Sequence, residues 1–211
     1  MPNLLWGRSS FSIDLSTEMV YIVIVMIVLI IFLMCIFVSL GVGVLAAMSD
    51  IKTMTIPNAY SAYMGVSFAV AYSAVTFSGA ESVFSSLGSH LLSAGLMFLF
   101  TFALFGLGMI GAADSKFGTV CALWFSAKDL PVYIFYMAVM GGVLGIASLV
   151  LQRRKPFAEP AEGSWVAQVQ GGASKVPYGV AISFGMGIAF MILGYFSPSV
   201  LSSFLPATGE A

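Results

Sequence analysis

Two aspartates carry most of the chemistry that this sequence can offer. Asp114 stands in Gly111-Ala112-Ala113-Asp114-Ser115-Lys116, where an apolar run ending near Ile110 hands over to another starting at Phe117. A carboxylate beside hydrocarbon gives up hydration. An ionisable residue in that position therefore marks either a functional site with a partner elsewhere in the chain or a plain helix cap at the interface. Gly106, Gly108, Gly111, Ala112 and Ala113 precede it and leave room for a second backbone to come close. Asp50 closes the first apolar run in Asp50-Ile51-Lys52, shortly before Ile56-Pro57-Asn58. Two carboxylates brought together share a proton and titrate as a unit. The ionised member can take a proton from water while its partner polarises a peptide carbonyl. Such a reaction needs no cofactor, no metal and no nucleophilic side chain.

The elements that must position these acids are membrane helices. The 211-residue chain is 60% hydrophobic and 8% charged, with a mean hydropathy of +1.03. A soluble domain carries roughly 25% charged residues. An all-α integral membrane protein is the expected class, with apolar runs too long for barrel strands. Six spans are expected, at about 19–48, 59–77, 91–110, 117–125, 132–151 and 178–196, the fourth short or partly re-entrant. They form a single domain over 19–196, between an extracytoplasmic tail at 1–18 and a C-terminal tail at 197–211. The polar stretch 152–176 reads as a loop, in which Trp165, Val166 and Val169 either seat a short segment on the membrane surface or belong to a plain linker. Pro57 suits an early position of the second helix.

Six crossings put the 50–58, 114–116 and 152–176 connections on one side of the membrane. Lys52, Lys116, Arg153, Arg154, Lys155 and Lys175 fall there, against Arg8 and Lys128 on the other side. By the positive-inside rule the first side is cytoplasmic. Asp50 and Asp114 then share a face, and each is the partner that the other requires.

The remaining inventory excludes other chemistries. A net charge of −1 leaves no nucleic-acid footprint. Cys35 and Cys121 form no metal-binding or disulfide pattern. His90 is expected at the opposite interface, where no Ser/His or Cys/His pair can reach the aspartates. Lys52 and Lys116 stand two residues after each aspartate. They serve either as topology markers or as cations that hold the acids or an anionic group. The Gly141–Gly145 spacing, Gly185, Gly187 and the 13 methionines read as packing residues.

Asp50 with Ile56-Pro57-Asn58, and Asp114 in Gly111-Ala112-Ala113-Asp114-Ser115-Lys116, together resemble the two signature motifs of the type IV prepilin peptidases, GxGD-type aspartic proteases of the bacterial inner membrane. Pro177-Tyr178-Gly179-Val180-Ala181-Ile182 resembles a stretch of the short tight-adherence (Flp pilus) branch. Ala113 departs from the family pattern, which has glycine there, and the CxxC segment of the longer, methyltransferase-bearing members has no counterpart. The resemblance implies Asp50 and Asp114 as catalytic residues. Lys52, Pro57, Asn58, Gly111, Ala113 and Lys116 would shape the site. The implied partners are a prepilin or pseudopilin precursor, membrane lipids and the pilus assembly machinery. A non-catalytic scaffold of a secretion machine and a small proton-coupled transporter are the alternative readings.

Overall fold

The computed structural model describes residues 15–79 and 83–204. These residues form helices α1 (Leu15–Thr53), α2 (Asn58–Ser78), α3 (Leu87–Gly106), α4 (Ala112–Ala122), α5 (Leu130–Arg154), α6 (Trp165–Gln170), α7 (Tyr178–Ile192) and α8 (Pro198–Ser202). No strand occurs among the described residues. The stretches Met19–Thr53, Leu87–Gly106 and Leu130–Arg154 are long and apolar enough to cross a membrane, and Tyr178–Ile192 is a shorter apolar helix. Their outward faces are apolar too: Leu92, Leu99 and Phe102 on α3 and Phe135, Val143 and Ile146 on α5 are exposed. Such faces suit hydrocarbon and not water. The protein is an all-α membrane protein.

The core lies where α1, α2, α4 and α7 meet. Phe32, Phe68, Trp124, Phe125, Phe190 and Tyr195 fill it with stacked, edge-on and tilted ring contacts. Small polar side chains join the helices where the backbones approach. Ser39 donates to Ser67, which donates to the Cys35 carbonyl at 2.7 Å, tying α2 to α1. Ser183 on α7 donates to the Gly43 carbonyl of α1 at 2.7 Å. Gly185 packs so tightly that an added Cβ would lie 2.7 Å from the Met137 backbone nitrogen on α5. Gly185 thus packs α7 against α5, the packing role expected of it, whereas a Cβ at Gly187 would meet only Leu40 Cδ2 at 3.7 Å.

Three local features differ from the sequence expectations. The fourth helix starts at Ala112 rather than near Phe117, because Gly111 is extended and its N–H is taken by the Asp114 side chain. Its 11 residues rise only about 16 Å, roughly half of a bilayer core. The turns over 123–129 complete the return. They bring Ala127 N–H onto Ser89 Oγ at the start of α3, so the segment does link the two ends of the bundle. The stretch with Trp165 and Val169 is neither a surface segment nor a loose linker. Both side chains are buried, and Trp165 Nε1–H donates to Ser148 Oγ on α5. His90 lies at the end opposite Asp50, as expected, but is buried beneath Phe68, Tyr72 and Phe84.

Candidate active site

Asp50 occupies the last turn of α1 and is 4% exposed. Helix α1 ends just after it because Met54 adopts a left-handed conformation, φ 54°, while its N–H still reaches the Asp50 carbonyl. A methionine rarely takes that conformation, so the turn is held by its surroundings. The Asp50 carboxyl is fixed by a residue far away in sequence: Gly179 N–H, at the start of α7, donates to Asp50 Oδ2 at 2.7 Å. Glycine allows this close approach without displacing a neighbour. A Cβ at 179 would stand 2.9 Å from Ile56 Cδ1 and 3.0 Å from both Asp50 Cβ and Asp50 Oδ2.

Asp114 lies in the first turn of α4. Its Oδ2 accepts the Gly111 N–H at 2.9 Å, reaching back across the helix start as a first-turn acid does. Ser115, the next residue, bonds Thr101 of α3 through their hydroxyls at 2.9 Å and sets the rotation of α4. Burial, reinforced by the neighbouring Asp50 carboxylate, pushes the Asp114 acid up to about 7, against the opposing pull of the Gly111 N–H.

Both aspartates line one cavity of about 440 Å³ at this end of the bundle. Its other walls are Met54, the Gly108–Gly111 turn, the segment Ser174–Val176 and Tyr178. Of the residues singled out in the sequence, Asp50, Asp114 and Gly111 are in the lining, whereas Lys52, Pro57, Asn58, Ala113 and Lys116 are not. Lys52, Pro57, Asn58 and Lys116 are exposed, and Ala113 packs against the core. Among the described lining residues the cationic one is instead Lys175, whose Nζ donates to Gln168 Oε1 at 3.0 Å. Its carbonyl accepts hydrogen bonds from Ser148 Oγ at 2.8 Å and Trp165 Nε1 at 2.9 Å, which clamp the segment to α5. Lys175, Tyr178 and Met54 were not marked by any spacing rule. The one sequence signal near them was the Pro177-Tyr178-Gly179 stretch, whose geometric part, the Gly179 N–H, is invisible without the fold.

A cavity with two neighbouring carboxyl groups, each held by a backbone N–H, at one end of a helical membrane bundle, defines an acid-pair membrane site. The family comparison gives this class a narrower identity. Residues 35–146, just over half of the chain, match the type IV leader peptidase family. The chain belongs to that family, and with it comes a leader peptidase role. No curated protein matches the chain. Neither does any solved structure.

Proposed function

We propose that the protein is an aspartic endopeptidase that removes the short basic leader from prepilins or pseudopilins at the cytoplasmic boundary of the inner membrane. The observation that carries this reading is the placement of Asp50 and Asp114 in the wall of one cavity. With Asp114 pushed up to about 7, the pair holds a shared proton at slightly acidic and neutral pH. One carboxylate takes a proton from the attacking water. The carboxylic acid polarises the scissile carbonyl and then protonates the leaving nitrogen. The backbone donors Gly179 N–H and Gly111 N–H keep both groups from turning away.

The finer parts of the proposal rest on the sequence. The basic connections point the site end toward the cytoplasm, and residues 19–196 serve as one multi-pass peptidase domain. The substrate is an Flp-type pilin precursor, whose apolar helix lies in lipid beside the enzyme and whose mature form passes to the pilus assembly machinery. The reaction is hydrolysis alone, without N-methylation. Asp50, Asp114 and the backbone at Gly111 act directly. Pro57 and Asn58 start α2, Ala113 packs α4 against the core, and Lys52 and Lys116 are exposed cations that mark the cytoplasmic side.

The test is cleavage of a prepilin in liposomes by wild-type, Asp50→Asn and Asp114→Asn proteins, read by mass spectrometry. A single cut at the leader boundary, absent with both variants although each remains in the membrane, is the expected result. Cleavage near the wild-type rate by either variant refutes the acid-pair assignment.

A further inference from the structure

A third polar group reaches the cavity that holds the two aspartates. Tyr178 lines it as the first residue of α7. The turn that aligns Asp50 also fixes the backbone of this tyrosine. Pro177 precedes it as the helix cap, and the next N–H, from Gly179, is the one that holds Asp50 Oδ2. The ring is half-buried and packs against the core. Helix α5 backs it, since a Cβ at Gly141 would lie 3.6 Å from Tyr178 Cε1, an ordinary contact. The hydroxyl is differently placed. Among the described residues it has no hydrogen-bond partner, yet it is not a shielded group. Asp114 stands near enough for its charge to act on the phenol. The other side-chain donors in the wall, Ser174 and Lys175, are exposed, and Lys175 already gives an N–H to Gln168.

Peptide hydrolysis has a use for such a donor. Attack by water forms a C–O bond and moves the carbonyl π pair onto oxygen, which becomes an oxyanion. The Gly179 and Gly111 N–H groups are spent on the carboxyl oxygens. The acid pair brings one shared proton, held at neutral pH by Asp114, the carboxyl nearest in effect to the phenol. A fixed donor aimed at growing negative charge stabilises the transition state more than the ground state.

We propose that Tyr178 is a third catalytic residue, whose hydroxyl donates a hydrogen bond to the scissile carbonyl oxygen as it becomes the oxyanion. The inference rests on the peptidase reading above. The tyrosine keeps its proton throughout: the acid pair takes one proton from water and passes one to the leaving nitrogen. The carbonyl oxygen sits between the Asp114 carboxylic acid and the Tyr178 phenol. Because the ring is already seated against Gly141, little reorganisation is needed when the charge develops.

The experiment is steady-state cleavage of a prepilin in liposomes by full-length wild-type and Tyr178→Phe proteins, beside thermal melts and a pH–rate profile. Phenylalanine keeps the ring against Gly141 and removes only the donor. The expected result is a kcat lower by about 100-fold, with KM and melting temperature near the wild-type values. The fall in rate through about pH 7 persists in the variant, because the acid pair still carries the protons. Installing 3-fluorotyrosine at position 178, which keeps a hydroxyl, restores cleavage below the pH at which that phenol ionises. A wild-type kcat in Tyr178→Phe overturns the inference, as does a rise of KM alone or a loss that 3-fluorotyrosine leaves unrepaired. Asp50→Asn and Asp114→Asn separate the two levels. If both abolish cutting while Tyr178→Phe cuts normally, the peptidase reading stands and this inference falls. A wild type that cuts no precursor overturns the peptidase reading, and this inference with it.

Discussion

The contact between Gly179 and Asp50 gives the sharpest test of how the site is held. In Gly179→Ala the new Cβ would lie 3.0 Å from Asp50 Oδ2 and 2.9 Å from Ile56 Cδ1, closer than side-chain carbons pack. Either the start of α7 moves away, losing the 2.7 Å hydrogen bond, or the carboxyl rotates. Overpacking of this kind costs about 1–3 kcal/mol. A lost hydrogen bond to a charged group costs about 1.5–3 kcal/mol. If about 2 kcal/mol of this falls on the transition state, cleavage slows about 30-fold. Two further alanines on α7 separate site geometry from packing. At Gly187 an added Cβ meets Leu40 Cδ2 at 3.7 Å, an ordinary contact, so Gly187→Ala keeps normal rate and stability. At Gly185 the Cβ would strike the Met137 backbone, so Gly185→Ala lowers the melting temperature. The assay is the initial rate of prepilin cleavage in liposomes beside a thermal melt of each purified variant. Gly179→Ala cleaving at the wild-type rate, with an unchanged melt, refutes the claim that this glycine positions Asp50.

The other expectations concern protons and clamps. Cleavage should fall as pH rises through about 7, because ionisation of Asp114 removes the proton that the acid pair shares, and a pH–rate profile checks it. The same raised acid favours the folded state fully below the ordinary carboxylate range, and that contribution is lost as pH rises through about 7. Melts of Asp114→Asn should therefore vary less with pH than those of the wild type. Gly111→Ala places a Cβ 2.9 Å from Asp114 Oδ2 and should slow cleavage about ten-fold or more, with membrane insertion intact by fractionation. Trp165→Phe removes the N–H that holds Lys175 O and Ser148 Oγ, costing about 1–2 kcal/mol in a denaturation series and raising KM more than it lowers kcat.

Much of this architecture can be read in the residues because lipid enforces simple rules. Apolar runs must be helices, and the runs ending at Asp50 and Ile110 bring the two aspartates to one end of the bundle by counting passes. The start of α4 was harder to read. Ala112, Ala113 and Asp114 look like a junction, yet the Asp114 carboxyl itself caps the Gly111 N–H and draws the junction into the helix. Lys52 and Lys116 stand beside the aspartates in sequence, but residues two apart on a helix face different ways, and both side chains are exposed. Lys175 reaches the wall instead, through a clamp made by Trp165 and Ser148 that no sequence period encodes. Trp165 and Val169 looked like surface residues because the stretch around them is polar. Burial against α5 was settled by tertiary packing.

The Asp50–Gly179 hydrogen bond also has a meaning in time. Its two ends are 129 positions apart, and α7 is the last long helix among the described residues. A ribosome adding about 5–20 residues per second needs roughly 6–25 s to travel from one to the other. For roughly the second half of that interval both aspartates are already made, while the donor that aligns Asp50 is not. A partly synthesised chain therefore carries both acids without their alignment, and under the proposed mechanism the order of synthesis withholds cutting power until α7 has docked.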